Sequence, residues 1–261
     1  MTAIATPVLS SPFSLAGRCA LVTGASRGLG AAAALALATA GADVVCAASE
    51  AARADKTADA IRALGRRAWT FGADLSEPDA ALVLAREVGA AVGVVDVLVN
   101  NAGTIRRHPA VAYPMEDWTL VLRTNLDATW QLSQEIGREM VKRGSGKIVN
   151  IASLLSFSGG VTVPAYTASK HAVAGLTKAL ANEWGASGVQ VNAIAPGYFR
   201  TDNTQRLQDD PQRSRDISAR IPAGRWGESE DIGGAVVFLA SSASDYVSGH
   251  VLVVDGGWMA R

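Results

Sequence analysis

Short, almost unbroken apolar runs alternate along the chain with longer alanine-rich stretches. The short runs are CALVT (19–23), DVVCAA (43–48), AWTFGA (68–73), DVLVN (96–100), KIVNIA (147–152), VQVNAIA (189–195) and HVLVVD (250–255). A strand that is apolar at consecutive positions is covered on both faces, as in a parallel sheet between two layers of helices. The longer stretches, near 28–40, 51–64, 77–91, 115–143, 164–186 and 229–241, read as helices. Strand and helix in alternation predict right-handed crossovers and an α/β, doubly wound parallel sheet of about seven strands, with helices on both faces.

No linker, repeat or low-complexity stretch divides this pattern, so one domain is expected over 15–261, after a flexible lead-in at 1–14. One interruption stands out. From Pro196 to Ile232 the chain is polar and short-period, and residues 197–228 are expected to form a lid over a substrate.

Composition narrows the function classes. Hydrophobic residues make up 49% and charged ones 18%, which fits a globular chain. Lys plus Arg and Asp plus Glu number 24 each, so no global field favours nucleic acid or an anionic membrane. Cys19 and Cys46 lie in apolar runs and are expected to be buried, reduced thiols. His108, His171 and His250 are scattered, and no metal site is expected. The first residues lack a basic start followed by a long apolar run, and no apolar stretch approaches a membrane span of about 18 residues. The expectation is a cytoplasmic protein.

The first strand runs directly into TGASRGLG (23–30), at whose far end a helix opens. Gly24, Gly28 and Gly30 permit a tight turn, close backbone approach to a pyrophosphate and close packing of helix on strand. Ser26, Arg27 and Leu29 complete the loop, and the helix start offers unpaired N–H groups to an anion. That context makes the sheet Rossmann-like and the ligand a nicotinamide dinucleotide. The second strand ends in Ala48-Ser49-Glu50. Glu50 sits a step late for a ribose 2′-hydroxyl, whereas Ser49 and Arg27 suit a 2′-phosphate, so these residues leave NAD and NADP both open.

Taken together, TGASRGLG, NNAG (100–103), Asn125 in RTNLDATW, Ser153 in NIAS and Tyr166-x-x-x-Lys170 resemble the short-chain dehydrogenase/reductase family in order and spacing. The resemblance runs from about residue 15 to the C-terminus and includes the 13-residue step from Ser153 to Tyr166. It implies that Asn125, Ser153, Tyr166 and Lys170 form a catalytic tetrad. The i, i+4 spacing puts the phenol and the ammonium on one helical face. A phenol with a pKa of about 10 is expected to be lowered by the cationic lysine and to act as general acid or base. Ser153 would steady the substrate oxygen, and Asn125 would interrupt a helix and hold a proton-relaying water. The resemblance also places Asn101, Ala102 and Gly103 against the riboses, and Asp74 with Leu75 at the adenine. Pro196, Gly197, Phe199 and Thr201 would border the nicotinamide.

Within the family, LLSFSGG (154–160), IPAGRWG (221–227) and VDGGWMAR (254–261) are similar to the branch of 2-deoxy-D-gluconate 3-dehydrogenases and 2-dehydro-3-deoxy-D-gluconate 5-dehydrogenases. That implies an acidic sugar as substrate and NAD as the cofactor, with NADP possible. Arg106 and Arg107 follow NNAG, and Arg106 is expected to grip the carboxylate bidentately, beside the substrate contacts of Ser153 and Tyr166. An NADPH-dependent 3-oxoacyl carrier-protein reductase is the rival enzyme reading. A non-catalytic nicotinamide sensor would require a broken tetrad. Family likeness implies a homotetramer built through the helices near 115–143 and 164–186.

Overall fold

The computed structural model describes residues 11–261. Each apolar run is a strand: β1 (Cys19–Thr23), β2 (Asp43–Ala48), β3 (Ala68–Gly72), β4 (Val97–Asn100), β5 (Gly146–Ile151), β6 (Val189–Pro196) and β7 (Val251–Val254). They form one seven-stranded sheet in the order β3-β2-β1-β4-β5-β6-β7, with every pair parallel. The order reverses between β1 and β4, and a crevice outside the carboxyl ends of the strands opens there.

Successive residues of one strand feed opposite cores. Ala20 and Val22 of β1 join the cluster that contains Leu37 and Val236, whereas Leu21 joins the one that contains Leu84, Leu132 and Leu180. The first core lies under α1 (Gly28–Thr39), α2 (Asp55–Ala63) and a helix at 233–240. The second lies under α3 (Ala80–Val92), a helix at 128–143 and a helix at 164–184. Alanines let α1 approach closely: a Cβ added at Gly233 would stand 2.9 Å from Ala36 Cβ.

The stretch read as one helix over 115–143 is broken. α4 (Met115–Leu122) passes through a π-turn at Arg123–Asp127 into α5 (Ala128–Arg143), and Asn125 sits in the wide turn. α6 (Pro164–Trp184) follows β5.

Residues 197–228 contain two helices that their polar pattern did not predict, α7 (Gln205–Gln208) and α8 (Pro211–Arg220). Asp210 caps α8 by accepting from Gln212 N and Arg213 N, and Pro211 occupies its first turn. The segment has its own core of Ile217, Ile221 and Trp226, with Tyr198, Leu207 and Trp258 packed against it. Its two ends are stitched together by Arg200 N to Gly227 O (2.8 Å) and Gly227 N to Tyr198 O (2.9 Å). α9 (Gly233–Ala240) then returns to the first core.

Residues 1–10 of the expected flexible lead-in lie outside the described residues. In its remainder, Pro12 O accepts from Ala243 N and Ser242 Oγ, each at 3.0 Å, and Leu15, which opens the domain, is buried. Among the described residues, no helix is long and apolar enough to cross a membrane. Nor do any three or more His, Cys, Asp or Glu among them stand where they could hold a metal ion.

Candidate active site

At the reversal in strand order a cavity of about 970 Å³ opens. Every residue assigned above to cofactor binding lines it, from Gly24, Ser26, Arg27, Gly28, Leu29 and Gly30 through Ser49, Asp74, Leu75, Asn101, Ala102 and Gly103 to Pro196, Gly197, Phe199 and Thr201. Ser153, Tyr166 and Lys170 line it too.

The two loops that meet there are held by side chains that the sequence reading did not single out. Thr23 Oγ1 accepts from Asn101 N and Ala102 N, both at 3.0 Å. Asn101 Nδ2 donates back to Thr23 O at 2.9 Å. A threonine ending a buried strand carries no chemical signal in the sequence; only the neighbouring loop gives it a function. Asn100, the last residue of β4, donates to Ser133 Oγ (3.0 Å) and Asn150 Oδ1 (2.9 Å), pinning the start of NNAG inside the core.

Gly24 and Gly30 leave no room for a side chain. A Cβ at Gly30 would lie 2.1 Å from Gly24 O. Gly24 and Gly28 have φ of 65° and 55°, a region that favours glycine. A Cβ at Gly28 would stand 3.6 Å from Thr201 Cγ2, filling the gap between loop and far wall. α1 starts with no side-chain cap and no acidic residue in its first turn. Its free N–H groups and partial positive charge therefore suit a pyrophosphate. The residues present fit a dinucleotide.

Just past the end of β3, Asp74 Oδ1 accepts from Ser76 Oγ (2.7 Å) and Ser76 N (3.0 Å), and these bonds hold its carboxyl below the usual value. Ser49, Arg27 and Arg53 line the cavity, whereas Glu50 does not and pairs with Arg53 at 3.0 Å. Arg27 Nε meets Asp202 at 2.6 Å, tying the phosphate loop to the segment after β6.

Tyr166 and Lys170 sit one turn apart on α6, with Lys170 Nζ 5.6 Å from the tyrosine ring centre. Lys170 is buried, and its ammonium donates to Ile151 O. Ser153 follows β5, and its hydroxyl accepts from Leu155 N at 3.1 Å. Asn125 is buried behind the cavity without lining it. Its carboxamide exchanges bonds with Thr104 (Nδ2 to O 3.0 Å, N to Oδ1 2.8 Å) and reaches Ser169 Oγ at 3.1 Å. The helix break thus connects the loop after NNAG to the turn that carries Tyr166 and Lys170.

The comparisons with known proteins bear on the family. A family model described as enoyl-(acyl carrier protein) reductase matches residues 24–259. A 2-dehydro-3-deoxy-D-gluconate 5-dehydrogenase of Bacillus subtilis (strain 168) is 55% identical, over 97% of this chain and 99% of the relative. The chain belongs to the short-chain dehydrogenase/reductase family. Another relative, the gluconate 5-dehydrogenase of Gluconobacter oxydans (strain 621H), is 44% identical over 94% of this chain and 96% of its own. The crystal structure of a gluconate 5-dehydrogenase from Burkholderia cenocepacia J2315, in complex with NADP and tartrate, is 42% identical with a TM-score of 0.90. That match covers 96% of this chain and 98% of the solved one.

Two features of this short-chain dehydrogenase/reductase lie differently from the expectations above. First, Arg106 does not line the cavity: its Nε pairs with Asp117 at 3.3 Å and its Nη1 donates to Thr104 Oγ1 at 3.0 Å. Arg107 lines it instead, donating to Asn203 O at 3.3 Å and having no acidic partner among the described residues. Burial, and then Arg206, push the Arg107 guanidinium below its ordinary value, while Tyr166 pulls the other way. A loop arginine's direction depends on tertiary contacts, and the doublet gave no means of choosing.

Second, the Tyr166 phenol is not lowered by Lys170. Burial raises it above its ordinary value, with the Ser153 hydroxyl and the Arg107 charge opposing. The same burial lowers Lys170 from 10.5 to about 8. Both groups resist charging in one low-dielectric pocket, and spacing along a helix does not report desolvation. The lysine shift has a measurable sign. Between about pH 8 and pH 10.5 the unfolded chain holds the lysine proton more tightly than the folded one, so this group makes stability rise with pH. Urea midpoints across that window are expected to rise for the native protein relative to Lys170→Met, and parallel curves would contradict the shift.

Proposed function

We propose that this protein is an oxidoreductase that moves a hydride between a nicotinamide cofactor and a secondary alcohol or ketone of an acidic sugar. One observation carries the reading: Tyr166, Ser153 and an acid-free arginine, Arg107, converge on the cavity that the glycine loop borders. A bound nicotinamide dinucleotide would supply the hydride acceptor or donor.

The chain's own residues supply the rest. Tyr166 hands its proton to the carbonyl oxygen in reduction as the neutral phenol, the form that burial favours, and takes the hydroxyl proton in oxidation as the phenolate. Ser153 Oγ donates to that oxygen as charge develops. Lys170 holds its ammonium against Ile151 O, close under the phenol, where it can reach ribose hydroxyls. Asn125 keeps the loop after NNAG in register with α6. Arg107 grips the sugar carboxylate, since a half-buried guanidinium without an acid partner is suited to a bidentate anion. Arg213, Arg220 and Arg261 line the outer wall, and Arg220 is stacked on Trp258 at 4.0 Å. A positive cleft in a chain of zero net charge favours an acidic substrate over the acyl thioester of the rival reductase.

For the cofactor, Ser49, Arg27 and Arg53 favour acceptance of NADP as well as NAD. The segment 197–228 acts as the lid, hinged where its ends are stitched. Exposed Trp130 on α5 and Phe157 before α6 support assembly as a homotetramer, and the absence of a membrane-length helix among the described residues is compatible with a cytoplasmic setting.

The test is steady-state turnover of 2-dehydro-3-deoxy-D-gluconate, D-gluconate and a neutral ketone with both cofactors, for the native protein and Arg107→Ala. Arg107→Ala is expected to raise KM for the acidic sugars by about 10- to 100-fold, the loss of a charged hydrogen-bond pair. An equal change for the neutral ketone would remove Arg107 from the carboxylate site.

A further inference from the structure

The register of the loop after NNAG is governed by one carboxylate. Asp117, on α4, uses its two oxygens separately: Oδ1 meets Arg106 Nε at 3.3 Å and Oδ2 meets His108 Nε2 at 2.6 Å. The residues on either side of Arg107 are therefore both turned to α4, and Arg107 is left on the opposite side, facing the cavity. Further contacts stiffen this arrangement. Tyr113 Oη donates to Arg106 O at 3.2 Å, and His108 N donates to Thr162 O at 3.0 Å. The His108 ring stands edge-on to Tyr113, which stands edge-on to Trp118.

We infer that Asp117 is a positioning residue for substrate specificity: by holding Arg106 and His108 together it presents Arg107 to the carboxylate of an acidic sugar. The inference rests on the reading of Arg107 as the carboxylate grip and deepens it. Asp117 does not line the cavity, so its influence passes through the loop. Without the clamp, Arg106 and Arg107 become alternatives in a mobile loop, and the cost falls on binding of the anion while proton transfer by Tyr166 is untouched.

The experiment is calorimetric binding of D-gluconate to the NADPH-loaded protein, together with KM and kcat for acidic sugars. Asp117→Asn is expected to weaken D-gluconate binding about tenfold, as for one lost charged hydrogen bond, and to raise KM with kcat nearly unchanged. In an Arg107→Met background the same substitution should add almost nothing, since coupled residues are not additive. A full tenfold loss in that background, or unchanged binding in the single variant, overturns the clamp. Should Asp117→Asn fail to fold, Arg106→Met removes one arm at a half-exposed position and must weaken binding in the same direction; unchanged binding there overturns it equally. D-gluconate binding that depends on Asp117, without turnover of any acidic sugar, would sink the proposed reaction and leave the clamp standing. Turnover that ignores Asp117 would do the reverse, and no D-gluconate binding at all overturns the clamp.

Discussion

Tyr166→Phe is expected to lower kcat by about 10³-fold in both directions, within the range that a positioned general acid or base contributes. The substitution removes one oxygen and keeps the ring, so the packing of α6 should survive and the melting temperature should stay close to that of the native protein. NADPH affinity should change little, because most of the proposed dinucleotide contacts lie in the glycine loop and NNAG rather than on Tyr166. The diagnostic is this split: chemistry lost, cofactor retained. Fluorescence titration with NADPH alongside steady-state rates checks it. Because burial raises the phenol and only Ser153 and Arg107 oppose that, the proton sits on Tyr166 at neutral pH. A Phe variant has no ionisable oxygen, so it lacks the phenol that donates in reduction as well as the phenolate that accepts in oxidation.

Gly30→Ala should be the most damaging small change in the phosphate loop. Its new methyl group would meet Gly24 O at 2.1 Å and Asn101 Nδ2 at 2.4 Å. The first is backbone in a turn with positive φ, so it cannot rotate away as a flexible side chain would. Relief requires α1 to move off β1 or the Asn101–Thr23 bonds to break, and either opens the phosphate loop. NADPH affinity should fall by at least about 100-fold, with destabilisation of about 1–3 kcal/mol from overpacking. Gly89→Ala is the control, since nothing lies within 4 Å of a Cβ there. Equal affinities for the two variants would show that the close approach at Gly30 is not what shapes the loop.

Much of this molecule was legible in its sequence, and the reasons are physical. A parallel strand covered on both faces must be apolar at successive positions, so the seven runs declared themselves and their ends fell within a residue or two. The glycines declared themselves because a turn with positive φ and a Cβ-free contact leave few alternatives. α7 and α8 stayed hidden because two helices that bury only Ile217, with Leu207 partly covered, leave most of their surface polar. The break at Asn125 was expected only from family likeness, since a π-turn keeps the helical period on either side. Two features of the site were beyond any pattern. Which arginine of the 106–107 pair faces the cavity is decided by Asp117 on another element, and the phenol's proton affinity is decided by how much water the fold removes.

The most direct test of the central claim is isotope transfer. Carbon-deuterated D-gluconate and 2-dehydro-3-deoxy-D-gluconate, each incubated with the protein and NADP or NAD, should yield reduced nicotinamide carrying deuterium from the sugar, and Tyr166→Phe should all but abolish the transfer. If neither acidic sugar delivers deuterium to either cofactor while a neutral ketone is reduced at an ordinary rate, the assignment of this site to acidic sugars is wrong.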